Sequence, residues 1–151
     1  MTTLVGTQSN FSTALRELAE LDYDAIEAYN AAIEKLENLS YQEKLEEFKA
    51  DHENHIVAIN KLLRNRDEDI VEGPGAKKWL TKGRVILATL IDDKSILQAM
   101  SANEDDTNTA YERVSSHENK WEEATEILNE GLEDERRHKK WLEDTIEHID
   151  S

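Results

Sequence analysis

Two halves of this chain repeat one arrangement of carboxylate, tyrosine and histidine, and no other feature of the sequence restricts the possible folds as tightly. In the first half Asp22 precedes Tyr29 by seven residues, and His52 and His55 follow. In the second half Glu104 precedes Tyr111 by seven, and Glu135 and His138 follow. Asp22 to His55 is 33 residues and Glu104 to His138 is 34. The flanks correspond as well: LDYDAIEAY (21–29) reads against NEDDTNTAY (103–111), and DHENH (51–55) against DERRH (134–138). Polar groups repeated in register where a helix bundle would otherwise want leucine are the footprint of a metal site inside that bundle.

Hydrophobic periodicity places these groups on four long helices. The first is capped by Asn10 or Ser12 and runs to about Asn38, with the seam Leu15, Leu18, Asp22, Ala25, Tyr29, Ala32 and Leu36 in steps of three and four. The second runs from Ser40–Gln42 to about Arg64 on Leu45, Phe48, His52, His55, Ile59 and Leu62, so both histidines face inward. A linker over 65–76 carries GPG (73–75), the strongest local breaker, and divides the halves. The apolar stretch Trp79 to Ile91 reads as a helix interrupted at Asp92-Asp93. A third main helix follows on Leu97, Met100, Glu104, Thr107, Tyr111 and Val114. A fourth runs from about Asn119 to His148 on Trp121, Ala124, Leu128, Gly131, Glu135, His138 and Leu142. Glu135 and His138, three apart, share a helical face.

Composition agrees with one all-α domain over residues 1–151, long enough to bury a continuous core. One proline and five glycines leave long helices unbroken. The formal charge of −16 repels nucleic acid and anionic lipid, concentrates cations and favours solubility. Without cysteine there is neither a disulfide framework nor thiolate metal chemistry. No stretch approaches the about 18–20 apolar residues that cross a bilayer, and MTTLVGTQSN has no signal-peptide pattern. A cytoplasmic protein is expected. Nucleophile triads, phosphate loops and redox dithiols are absent from the sequence, leaving hydrolase, kinase and thioredoxin readings without support.

Energetics favour a cation at the centre. Asp22, Glu104 and Glu135 are expected at similar depth on one axis, and each unpaired buried charge costs several kcal/mol. Imidazolium forms of His52, His55 and His138 compensate in part. A divalent ion compensates more fully, since carboxylate and imidazole both ligate iron, manganese and zinc. Taken singly, His52 and His55 also read as hydrogen-bonded core histidines, and Tyr29 and Tyr111 as core aromatics whose hydroxyls bond ligand carboxylates. Asp51 and Asp134 match each other across the repeat and are candidates to support the histidines from outside.

These motifs resemble the ferritin-like superfamily across nearly the whole chain. DERRHKKWLE (134–143) looks like the fourth-helix motif of bacterioferritin- and rubrerythrin-type members, and the carboxylate seven before a tyrosine resembles their lone-Glu helices. LDYDAIEAYNAAIEKLE (21–37) and LQAMSANEDDTNTAYERV (97–114) look like small stress-associated bacterial members rather than storage ferritins. The resemblance implies a ferritin-like four-helix bundle: two helix hairpins joined by a long crossover, with an additional helical segment before the third main helix. It implies metal ligands at Asp22, His55, Glu104, Glu135 and His138. Two positions depart. Asp22 stands for a glutamate and is one methylene shorter, and His52 stands where the family has a bridging glutamate. A neutral imidazole does not bridge two cations as a carboxylate does. A single metal, a redesigned pair, and a metal-free site filled by hydrogen bonds all stay open.

Two functional readings follow. The first is a metal-binding protein with one or two divalent ions, iron or alternatively manganese or zinc, at Asp22, His52, His55, Glu104, Glu135 and His138, handling peroxide or oxygen in a stress response. The second is a non-enzymatic bundle acting in self-association or partner binding around a metal-free polar core. Neither involves nucleic acid or a membrane, and a homodimer is expected of a small bundle with Trp-bearing helices.

Overall fold

The computed structural model describes residues 3–150. Among them every regular element is helical: α1 Phe11–Lys35, α2 Leu39–Asn65, α3 Arg84–Ala88, α4 Asp93–Ser115, a 3₁₀ turn Glu122–Ala124, and α5 Thr125–Asp150. Short polar side chains set three of the starts. Asn10 accepts from the amide of Thr13, Asn38 from Tyr41 and Asp92 from Ser95, each satisfying an amide that lacks a helical partner. Leu36 turns to extended backbone and ends α1. Asp93 then accepts from the amides of Glu37 and Asn38, pinning the α1–α2 turn to the start of α4.

α1 packs along α2 and α4 along α5, while α1 and α4 close one side; α2 and α5 meet more sparsely. The expected seams are the buried faces. Every seam position on α1, α2 and α4 is buried, as are Ala124 through Leu142 of the fourth seam. The architecture is the expected pair of helix hairpins with a crossover between them.

The crossover departs from expectation in one respect. Of the apolar stretch 79–91 only Arg84–Ala88 is helical, because side chains of the bundle bond the backbone that leads into it. Asn60 exchanges two hydrogen bonds with Val71, Asn103 exchanges two with Lys82, and the Trp79 amide donates to Asp24 at 2.6 Å. Tertiary bonds take the amides a helix would need. The fourth helix also starts later than Asn119, at Thr125, with Trp121 preceding the 3₁₀ turn and packed edge-on against Phe11. Among the described residues no helix is long and apolar enough to cross a membrane.

Candidate metal centre

Each long helix delivers its polar seam residues to the same level of the bundle: Asp22 from α1, His52 and His55 from α2, Glu104 from α4, Glu135 and His138 from α5. Five are 0–1% exposed and His55 is 8% exposed. The three-residue steps His52–His55 and Glu135–His138 put each pair on one inward face, so two helices supply two side chains apiece and two supply one.

The six form two overlapping groups of four. Asp22, His52, His55 and Glu135 make one; His52, Glu104, Glu135 and His138 make the other, and in each the donor atoms lie within 4.8 Å of one another. In the first, His52 Nδ1 lies 2.7 Å from Asp22 Oδ1 and 3.4 Å from Glu135 Oε1. In the second, His138 Nδ1 lies 3.2 Å from Glu135 Oε2 and 3.4 Å from Glu104 Oε1.

Around them, partners are exchanged across the two halves. Tyr111 donates to Asp22 at 2.7 Å and Tyr29 to Glu104 at 2.5 Å. Asp134 holds His55 Nε2 at 2.8 Å, and Asp51 holds His138 Nε2 at 2.7 Å. These contacts orient both rings so that Nδ1 faces the centre, the arrangement in which a carboxylate raises the basicity of a ligating histidine. Three further residues had no signal in the repeat. Thr107 donates to Glu104 Oε2 at 2.8 Å, Asn108 donates to the carbonyls of Glu104 and Glu135, and Arg137 bridges Asp51 and Asp134 at 2.9 Å each. The inward stripe pointed to Thr107; nothing local pointed to Arg137, whose partners lie on two helices.

Electrostatics follow from burial among opposite charges. Burial alone would lower the histidines, but Glu135 and Asp22 hold His52 up at about 9, Asp134 and Asp22 hold His55 at about 10, and Asp51 and Glu104 hold His138 at about 12. Burial would raise Glu104, yet His138 and His52 keep it well below the usual carboxylate range. Glu135, with no hydrogen bond to either oxygen, is pushed up to about 7 by burial against the pull of His52.

Five buried atoms in the centre have no hydrogen-bond partner: His52 Nε2, His55 Nδ1, His138 Nδ1 and both oxygens of Glu135. Buried polar atoms are seldom left so, and a cluster of them calls for a ligand. They are nitrogen and carboxylate oxygen, donors that suit first-row divalent ions, so the residues present fit a metal.

Comparison with known proteins adds a family and a fold. The family described as "Domain of unknown function (DUF2383)" matches residues 10–117. No curated protein matches the chain. A solved structure described as a dodecameric thioferritin, the bacterioferritin-related protein from Bacteroides fragilis, aligns with a TM-score of 0.78 at 20% identity, covering 92% of this chain and 85% of that one. At that identity the likeness establishes the fold, and the fold is ferritin-like.

Proposed function

The chain belongs to the DUF2383 family, and from its buried centre we propose that it is a ferritin-like metal-binding protein. Asp22, His52, His55, Glu104, Glu135 and His138 hold the metal, with iron the leading candidate and manganese or zinc the alternatives. The observation that carries this reading is the set of five unpartnered donor atoms facing one another in the interior. A desolvated oxygen or nitrogen costs about 1–3 kcal/mol, and a cation bound among them relieves those it touches. A bound iron or manganese ion supplies Lewis acidity and one-electron chemistry toward peroxide or oxygen, the class of reaction proposed for the centre in a stress response. The chain's own residues bury the centre, hold Glu104 through the hydroxyls of Tyr29 and Thr107 while His138 and His52 keep it ionised, and aim three imidazoles inward.

The test is elemental analysis of protein purified without chelator. Roughly stoichiometric iron, manganese or zinc is expected, and His138→Ala should abolish it. Protein free of metal that takes up none on incubation with these ions would sink the proposal.

A second reading, a metal-free bundle working through self-association, is favoured by one observation. Val85 is 80% exposed and Ile91 is 84% exposed on the crossover, apolar groups that a second copy could cover. On that reading a homodimer forms, and Val85→Asp with Ile91→Asp reduces the mass measured by light scattering to that of one chain. An unchanged mass removes it.

A further inference from the structure

The two groups of ligands are not equivalent, and the geometry points to one dominant ion position between His52 Nε2, Glu104, Glu135 Oε2 and His138 Nδ1, with Asp22 orienting His52 instead of ligating. This deepens the metal-binding reading and rests on it.

Distances separate the two groups. Around a four-coordinate ion with bonds of about 2.0–2.1 Å, ligand atoms stand about 3.3 Å apart. In the group containing Glu104 the three close donor pairs measure 3.2 Å (His138 Nδ1–Glu135 Oε2), 3.4 Å (His138 Nδ1–Glu104 Oε1) and 3.7 Å (His52 Nε2–Glu104 Oε1). All are close to the edge length of a four-coordinate shell. In the group containing Asp22, three pairs measure 3.4, 3.5 and 3.7 Å, but His52 Nδ1 and Asp22 Oδ1 stand at 2.7 Å. That contact is a hydrogen bond, well short of the edge of a four-coordinate shell.

Proton placement then decides which nitrogen of His52 is available. A metal takes the neutral imidazole, so binding displaces the extra proton these histidines otherwise hold and leaves each ring one N–H and one lone pair. With the N–H on Nδ1 pointing at Asp22, the lone pair is on Nε2, which faces Glu104 and has no partner. Tyr111 fixes the other oxygen of Asp22 and so keeps this carboxylate turned toward His52. Asp22 thus does for His52 what Asp134 does for His55 and Asp51 does for His138: each histidine gives one nitrogen to an aspartate and keeps the other bare. Two of the three bare nitrogens belong to the Glu104 group. The Asp22 group is left with His55 Nδ1 and Glu135 Oε1 as its unpartnered donors, too few for a comparable site.

Cobalt(II) is a suitable probe because its visible absorption reports coordination independently of any reaction. Chelator-stripped protein titrated with Co²⁺, followed by absorbance and calorimetry, should take up one tight equivalent. Glu104→Gln and Asp22→Asn make the same change in charge at nearly constant volume. Glu104→Gln should remove the tight equivalent. Asp22→Asn should keep it at one ion per chain and weaken it about 10–100-fold. His138→Ala should abolish it and His55→Ala leave it within about threefold, with circular dichroism confirming that each variant is helical. Equal losses in the two histidine variants, two equally tight equivalents in the parent, or one of two equal sites vanishing in Asp22→Asn would overturn the assignment while leaving metal binding intact. A parent protein that binds no cobalt, iron, manganese or zinc overturns both.

Discussion

The hydroxyl of Tyr111 donates to Asp22 at 2.7 Å although 89 residues separate them. The equivalent tyrosine of the first half, Tyr29, reaches the carboxylate of the second, Glu104. Each half of the chain therefore completes the other half's carboxylate, and the two hairpins cannot form their polar interiors separately. Tyr111→Phe leaves Asp22 with one donor fewer in a site 1% exposed. The expected cost is about 1–2 kcal/mol, read as a lower urea midpoint with helicity retained. An unchanged midpoint would mean that the hydroxyl contributes nothing to the packing of the hairpins.

Gly131 lies on the buried seam of α5 directly beneath the same tyrosine. A Cβ there would sit 2.5 Å from Tyr111 Cε1 and 3.0 Å from Cδ1. In an exposed helix interior, glycine to alanine stabilises by about 1 kcal/mol; here overpacking reverses the sign. Gly131→Ala should destabilise by about 1–3 kcal/mol and displace the Tyr111 ring. The change would show as a lower thermal midpoint and an altered tyrosine near-ultraviolet dichroism. A raised midpoint would show that the ring shifts freely.

Asp24 fastens the crossover to α1, accepting from the Trp79 amide through Oδ2 while Oδ1 is buried without a partner. Burial pushes its carboxyl up from 3.8 to about 6. The folded chain therefore holds this proton more tightly than the unfolded chain, and the contribution of Asp24 to stability falls as pH rises from about 4 to 6. Asp24→Asn keeps a carbonyl acceptor and removes the charge. It should raise stability at pH 7.5 by about 1–2 kcal/mol and have little effect at pH 4. Equal effects at the two values, measured by urea unfolding, would remove the buried charge as the cause.

Ligand binding to the native centre alone must raise stability. Zinc at a free concentration 100 times its dissociation constant should add about 2.7 kcal/mol, with a higher thermal midpoint that returns to baseline on adding chelator. In Glu135→Gln, which removes the negative charge shared by both groups of ligands, the shift should be much smaller. A parent midpoint that ignores zinc would contradict the proposed function.

Arg137 is half-exposed, yet it bonds both aspartates that orient histidines: Asp51, which the nearby His138 and Arg137 hold down at about 2 against burial, and Asp134. It lies where α2 and α5 meet sparsely. Arg137→Ala should change metal-free stability by less than about 1 kcal/mol, because exposed ion pairs are weak. It should speed removal of bound metal by a chelator several-fold, measured by stopped flow. An unchanged rate would show that the guanidinium does not restrain the two Asp–His pairs.

Much of the bundle was legible from spacing because helical periodicity is local. A side chain's position around its helix depends on the residues three and four away, so the stripe that buries Leu18 and Ala25 also places Asp22 inward. The same count placed His52 and His55, Glu104, and Glu135 with His138. The cap at Asn10 was equally local, a polar oxygen within reach of an amide three residues on. The crossover was misread because its apolar residues between Trp79 and Ile91 are shaped by distant partners. Asp24, Asn103 and Asn60 take its backbone groups, and no pattern within the segment encodes them.

The repeat by itself determined which residues point into the bundle and that carboxylates and imidazoles would meet there. Only the tertiary structure decided who meets whom: Tyr29 with Glu104, Tyr111 with Asp22, Asp51 with His138, Asp134 with His55, and Arg137 across two of them. Direction around a helix is set by the 3.6-residue turn. Partnership across helices depends on the axial offset and distance between them, which the whole core settles at once.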